Sequence, residues 1–318
     1  MENITFSSSV LMLNFGELTS IKYLYCVFVL FGYILIVLLN GVVVIAVVQH
    51  KSLHEPMYIF ISVLCVNGVY GSSAFYPSLL IHLLQKKPSI FYFACLTQVF
   101  CLHSYCAYEM TILASMAYDR YVSICNPLRY NRIMTPSTVV KVVIGAWLYP
   151  TPLLVILIIL TIELPLCGNN ILKFYCDNWS VVKLSCVDTS VNNIYGLLLV
   201  VVIIGSTAML IFYSYFRILI VCMRSSKNVQ EKALQTCTPH LITIANFLVD
   251  TLFEILLHRF TATRMPEELR IIMSLQFVVV PPILNPFIYG LKMKKIKSKV
   301  KELLSGKSKK ETVLIVVR

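Results

Sequence analysis

Seven long apolar runs set the limits on what this chain can fold into. They fall at about 24–48, 58–83, 95–124, 139–162, 193–222, 236–258 and 270–291. Each approaches or exceeds the roughly 20 residues that a helix needs to cross the hydrocarbon core of a bilayer. A segment in lipid finds no water for its N–H and C=O groups, so an open strand is excluded and a helix is the remaining choice. The short alternating segments of a β-barrel are absent. The expected fold is therefore an all-α membrane protein, a seven-transmembrane helix bundle over 24–291. An extracellular N-terminus (1–23) precedes it, and a cytoplasmic amphipathic helix and tail (292–318) follow.

Composition agrees with this. Hydrophobic residues make up 58% of the chain and charged residues 13%, whereas a soluble domain carries roughly a quarter charged residues. A formal net charge of +12 raises nucleic acid as a partner. The basic residues, however, sit in short loops and the tail, between apolar runs, so no nucleic-acid partner is expected. The partner they imply is the lipid bilayer. No cleavable signal peptide is expected, since a basic start with a short apolar core and a small-residue cleavage site is missing.

Lys and Arg placement orients the chain. Lys51, Arg129, Arg132, Lys141, Arg224, Lys227 and Lys232 fall in the first, third and fifth connections, and nine lysines follow Leu291. The alternate loops mix Lys86, Lys87, Arg264 and Arg270 with Glu163, Asp177, Asp188, Glu267 and Glu268. The N-terminus is expected outside and the C-terminus inside, at the plasma membrane. Along 292–304 lysines alternate with Met293, Ile296, Val300, Leu303 and Leu304, the spacing of a basic amphipathic helix lying on the anionic inner leaflet.

Of 11 cysteines, Cys26, Cys65, Cys101 and Cys106 lie in apolar runs and read as small buried hydrophobes. Cys95, Cys167, Cys176 and Cys186 form an even set that can pair in an oxidising compartment, with three connectivities open. Asn3 and Asn178 head glycosylation sequons on the expected outer side.

Local motifs narrow the class. The third run ends in Met116-Ala117-Tyr118-Asp119-Arg120-Tyr121-Val122-Ser123-Ile124-Cys125, then Asn126-Pro127-Leu128-Arg129-Tyr130. An ionised pair at a membrane boundary is costly unless its members hold each other or reach water. Asp119 can hold Arg120 at rest and release it to a cytoplasmic partner; the plainer role is a static interface salt bridge. The decapeptide closely resembles the signature of odorant receptors of the rhodopsin-like G-protein-coupled class. Leu53-His54-Glu55-Pro56-Met57-Tyr58, Ser214-Tyr215, Lys232 through Leu241, and Pro281-Pro282-Ile283-Leu284-Asn285-Pro286-Phe287-Ile288-Tyr289 resemble four further family motifs, in the family's order.

The resemblance implies that an odorant binds the outer half of the bundle and favours an outward swing of the sixth helix. Arg120 would then engage a stimulatory, olfactory-type heterotrimeric G protein that raises cAMP. It assigns coupling and activation to Asp119, Arg120, Tyr121, Tyr215, Asn285, Pro286 and Tyr289, with Tyr215 and Tyr289 meeting the freed Arg120. It pairs Cys95 with Cys176 and Cys167 with Cys186. Neither a catalytic group nor a cofactor is implied.

One position departs from the family. Its aspartate in the second helix stands twelve residues after the motif proline, and here Pro56 leads to Gly68, beside Asn67. In rhodopsin-like receptors that aspartate helps hold sodium. Glu109 matches a family glutamate. Without the aspartate it is protonated, held by Asn67 and Asn285, or left as the carboxylate of a sodium site.

His258-Arg259-Phe260 resembles a tripeptide of the fish-like, class I odorant receptors, in which the arginine can bind a ligand carboxylate. A guanidinium offers a planar, permanently charged fork suited to that contact. Snorkelling, or pairing with Glu254, Glu267 or Glu268, is the plainer role for Arg259. His103, about five turns above Arg120, matches a class I pocket position; Leu102, Cys106, Ala107 and Ile255 complete the expected pocket. A helix–helix hydrogen bond is the plainer role for His103. The expected ligand is a small, water-soluble, anionic or zwitterionic molecule, although Asp250 and Glu254 would favour a cationic one.

Rival classes are weaker. A transporter or channel would line a path with charge and usually repeat its halves. A membrane enzyme would need a metal spacing such as His-Glu-x-x-His, which is missing. An odorant-type receptor sensing a metabolite outside olfactory tissue shares every feature above.

Overall fold

A computed structural model describes residues 10–13, 22–171, 173–260 and 267–305, and leaves the side chains of 252–275, 277, 291, 292, 294 and 304 outside that description. Seven long helices form the body of the molecule: α1 (Lys22–Gln49), α2 (Pro56–Leu84), α3 (Tyr92–Cys125), α4 (Pro136–Ile162), α5 (Ser190–Met223), α6 (Lys227–Phe260) and α7 (Glu267–Lys292). An eighth, α8 (Lys294–Leu304), runs on after Met293.

By length and apolarity, α1, α2, α4 and α5 qualify on their own as membrane-spanning. The other three are more polar because their buried faces carry Glu109, Asp119, His240, Asp250 and Asn285. The molecule is apolar on its outer surface, with polar groups set into a largely apolar interior. Tyr23, Val27, Phe28 and Phe31 of α1, and Phe212 of α5, are exposed. In water so much exposed apolar surface would drive aggregation; in lipid it is the natural outer face.

The helices close on each other in sequence order. α1 lies against α2, α2 against α3, and α6 against α7, which returns to α1 and α2. α3 is the central element, meeting α2, α4, α5 and α6. Its apolar face carries Met110, Ile112, Leu113, Met116 and Ala117 into the largest core cluster.

Helix breaks have local causes. Pro150 interrupts α4, where Tyr149 and Pro150 form a turn between Leu148 and Thr151. Proline lacks the N–H that an unbroken helix needs there. Pro77, Pro239, Pro281, Pro282 and Pro286 lie inside α2, α6 and α7. In α5 the turn Val200–Gly205 is π-helical, a geometry that recurs at functional sites because it widens the helix locally.

Two ends differ from the expectation. α6 begins at Lys227, some nine residues before the apolar run at 236. Lys, Gln, Glu and Ala are strong helix formers, so the helix continues past the bilayer, where hydropathy does not report it. The second difference is a small sheet that the all-α reading lacked. β1 (Val10–Leu13) sits between β2 (Ser89–Phe91), antiparallel, and β3 (Asn170–Ile171), parallel. Leu11 and Leu13 bury their side chains in a cluster with Cys95, Val99 and Cys176. Part of the N-terminal segment is thus built into the outer end.

The last turn of α7 leads directly into α8, which carries buried Ile296 and the partly buried Val300 into the main cluster. Lys295 meets Glu55 at 2.6 Å and Lys299 meets Glu302 at 2.6 Å. The apolar stretch 311–318 lies outside the described residues.

Candidate functional site

The loop between α4 and α5 closes the end of the bundle at which α3 begins. Cys95, at the start of α3, is bonded to Cys176, and Cys167 to Cys186. These are the pairs that the sequence resemblance implied. Gln98 strengthens the first tie: its Oε1 accepts from the Cys176 N–H at 2.9 Å, and its Nε2 donates to the Ala74 carbonyl at 3.0 Å. Asp177 caps the short helix Asn178–Val182, accepting from the Ser180 N–H at 3.1 Å.

Beneath this lid lies a cavity of about 190 Å³ between α3, α4, α5 and α6. Leu102, His103, Cys106 and Ala107 all stand on its wall, as does Thr251 of α6. His103 donates from Nδ1 to the Val99 carbonyl at 2.9 Å, which fixes the imidazole against its own helix. The π-turn of α5 contributes Val200, Ile203 and Ile204 to the opposite wall, and α4 contributes Leu154 and Leu157. The side chains of Ile255 and Arg259 lie outside the described residues.

Residues of the loop between α4 and α5 also stand on the wall and were not anticipated as ligand contacts, among them Lys173, Tyr175, Asp177 and Trp179. Lys173 Nζ stands 2.9 Å from Asp177 Oδ2 and 5.1 Å from the centre of the Tyr175 ring. Their nearness in sequence to the α3-bonded Cys176 was the available signal, since that bridge draws the segment inward.

Asn178 also faces inward. It is 7% exposed, and its Oδ1 accepts from the Thr161 hydroxyl at 2.8 Å. The sequon asparagine thus helps to pack this loop against α4. Asn3 lies outside the described residues.

Midway down the bundle, Glu109 joins three helices. Its Oε2 accepts from Asn67 Nδ2 of α2 at 2.7 Å, and its Oε1 from Asn285 Nδ2 of α7 at 2.6 Å. Of the alternatives for this carboxyl, the asparagine clamp is thus present. Asn40 Nδ2 donates to the Pro282 carbonyl at 2.8 Å, supporting α7 in its proline-rich stretch. The buried oxygens Asn40 Oδ1 and Asn67 Oδ1 have no hydrogen-bond partner. A Cβ placed on Gly68 would stand 3.5 Å from Asn40 Oδ1, so that oxygen faces the place of the family's aspartate. A carboxylate and amide oxygens are ligands of the type a small hard cation takes.

At the inner end Arg120 is held. Both Nε and a terminal nitrogen donate to Asp119 Oδ2, and the Tyr130 hydroxyl donates to Asp119 Oδ1 at 2.8 Å. Asp119 is fully buried, where a lone carboxylate would be costly without these donors. Tyr215 of α5 makes a 2.6 Å hydrogen bond to His240 Nδ1 of α6, rather than meeting Arg120. Tyr289 is buried in the central cluster. Tyr121 packs its ring against Tyr118 and Tyr213, with centroids 6.2 and 6.0 Å apart. Arg120 is thus paired with Asp119, and α5 is tied to α6 through Tyr215 and His240. Among the described residues, no group of three or more His, Cys, Asp or Glu is placed to hold a metal.

Known proteins agree with this geometry. The fold is similar to that of squid rhodopsin, with a TM-score of 0.71 over 92% of this chain and 88% of that one, at 18% identity. Human olfactory receptor 51E1 is 36% identical over 272 residues, 85% of each chain. Human olfactory receptor 52D1 is 35% identical over 267 residues, 83% of this chain and 84% of that one. The family described as "Olfactory receptor" matches residues 28–307. The chain belongs to the olfactory receptor family, as a seven-helix membrane receptor and not an enzyme.

Proposed function

We propose that this receptor binds a small, water-soluble, anionic or zwitterionic odorant in the cavity under the lid. Binding shifts α6 outward and activates a stimulatory, olfactory-type G protein, raising cAMP. The supporting observation is that one helix, α3, carries both ends of the process. It runs from the lid bridge at Cys95, past the cavity wall at His103 and Cys106, to the Asp119–Arg120 pair. A ligand can drive the change only by binding the active arrangement more tightly than the resting one. α6 is where such a difference is read, because Thr251 stands at the cavity while His240 and Cys237 lie deeper, toward Arg120.

In this reading the receptor sits in the plasma membrane with the lid outside and α8 on the inner leaflet. Arg259, as the family resemblance implies, would offer a cation to the ligand. Asp119, Arg120, Tyr121, Tyr215, Asn285, Pro286 and Tyr289 are the activation set. Glu109, Asn40 and Asn67 are the residues that would hold sodium between α1, α2 and α3. A bound sodium would supply positive charge against Glu109 and favour the resting packing.

The test is a cAMP assay in cells carrying the full chain with an olfactory-type stimulatory G protein. They are challenged with small acids, amino acids, amines and neutral odorants. A ligand-dependent rise, absent from untransfected cells, is expected. Silence across the panel with confirmed surface expression would count against the ligand class and the coupling.

A further inference from the structure

The four-residue strand β1 joins two loops that do not pair with each other. In the sheet order β2–β1–β3 it lies between the α2–α3 connection and the lid. The Met12 N–H donates to the Asn169 carbonyl at 2.6 Å, and the Leu13 N–H to the Pro88 carbonyl at 3.0 Å. Successive side chains of a strand point to opposite faces, and one face of β1 is turned inward: Leu11 is 0% exposed and Leu13 2%. Both pack in the cluster that holds Cys95 and Cys176. β1 therefore leans on the two ends of the bridge that ties the lid to α3.

The lid is held at three points around β3. Cys167 is bonded to Cys186 on one side of it, and Cys176 to Cys95 on the other. β1 holds the stretch between them. Tyr175, Asp177 and Trp179 of the cavity wall follow a few residues later. The same cluster reaches the wall through Val99, whose carbonyl takes the His103 Nδ1 bond at 2.9 Å. β1 itself is not on the wall.

These attachments differ in strength. A disulfide is covalent and persists in an oxidising compartment. β1 pairs through three residues with β2 and two with β3, and so small a sheet is marginal unless its side chains are buried against something else. Leu11 and Leu13 supply that burial. An element held by few hydrogen bonds and two apolar side chains opens at far lower cost than the bundle as a whole. The lid is thus fixed at its ends and releasable in its middle.

We infer that β1 is a strap: Leu11 and Leu13 seat the lid over the cavity, and the cavity opens to water when this strand lifts from β2 and β3. Its place on an odorant's route rests on the reading of the cavity as the odorant site, which it deepens by naming what controls access. Exchange of a ligand is then set by a segment that does not touch it.

The experiment uses Cys106, whose thiol stands on the cavity wall, as the reporter of entry. Cys65, fully buried in the main core cluster, reports unfolding of the bundle. The purified full chain is exposed to iodoacetamide, and mass spectrometry gives the alkylation rate at each cysteine. Wild type is compared with Leu11→Ala, Leu11→Met and Met12→Pro, the last because proline has no N–H for the Asn169 carbonyl. Leu11→Ala and Met12→Pro are expected to raise the Cys106 rate about tenfold or more, with the Cys65 rate unchanged. Leu11→Met keeps an apolar anchor of similar volume, and with it the wild-type rate. Equal Cys106 rates in wild type, Leu11→Ala and Met12→Pro would overturn the strap. So would a parallel rise at Cys106 and Cys65, since β1 would then hold the bundle and not the entry. A wild-type Cys106 as reactive as in the unfolded chain would overturn it as well, because the lid would not be closed. Neither odorant nor G protein enters this measurement. Failure of the strap therefore leaves the odorant reading standing, and failure of that reading shows instead as silence in the cAMP assay.

Discussion

The hydroxyl of Tyr215 and Nδ1 of His240 lie 2.6 Å apart, and this bond ties α5 to α6 on the inner side of the bundle. The two rings are tilted at 42°, with centroids 5.8 Å apart. In the proposed active state Tyr215 turns to Arg120, so the bond belongs to the resting state alone. His240→Phe removes the partner and leaves Tyr215 in place. A net hydrogen bond contributes about 0.5–1.5 kcal/mol, so ligand-independent cAMP should rise about 2- to 12-fold. Tyr215→Phe removes both the resting and the active contact, and should instead lower the ligand-evoked maximum. Basal and evoked cAMP at matched surface expression distinguish the two; identical behaviour of both variants would contradict this assignment.

Glu109 supplies the second prediction. Sodium, but not the larger potassium, should raise the melting temperature of the purified wild-type receptor. Glu109→Gln should remove that difference, because it leaves amide oxygens without the carboxylate that a small cation needs. A thermal-stability titration with each salt at constant ionic strength reads this directly. Equal sodium responses in wild type and Glu109→Gln would rule out a site at this cluster.

The third concerns how closely α2 and α3 approach. A Cβ at Gly71 would overlap the ring of Tyr105, which is itself fully buried. Gly71→Ala should therefore destabilise the receptor by about 1–3 kcal/mol, the usual cost of overpacking. Gly71→Ala combined with Tyr105→Leu should recover part of the lost melting temperature. Gly71→Ala at wild-type stability would show that the two helices separate without cost.

These residues also show how far the chain could be read in advance. The spans were legible because lipid permits little besides apolar helices. The Asp119–Arg120 pair and both disulfides were legible because short motifs carry them. The asparagine clamp on Glu109 stood among the alternatives, as Asn67, Glu109 and Asn285 are a small polar set in otherwise apolar runs. Gly71 was not legible, because nothing local says that its neighbour across the interface is a tyrosine ring. β1 escaped because a four-residue strand has no periodic signal of its own and exists only through β2 and β3. Lys173 was missed for a related reason. A lysine in a loop reads as solvated, and only the Cys176 tie turns that segment inward.

Ligand-evoked cAMP in wild type against Arg120→Ala, at equal surface expression and with an olfactory-type stimulatory G protein present, tests the receptor mechanism most directly. Arg120 is held by Asp119, and its release is the proposed step by which the cavity would reach the G protein. A concentration-dependent rise in wild type that is lost in Arg120→Ala, with ligand-induced thermal stabilisation of the purified variant retained, is the expected result. An equal cAMP rise in both proteins would contradict it, because the signal would then not pass through Arg120.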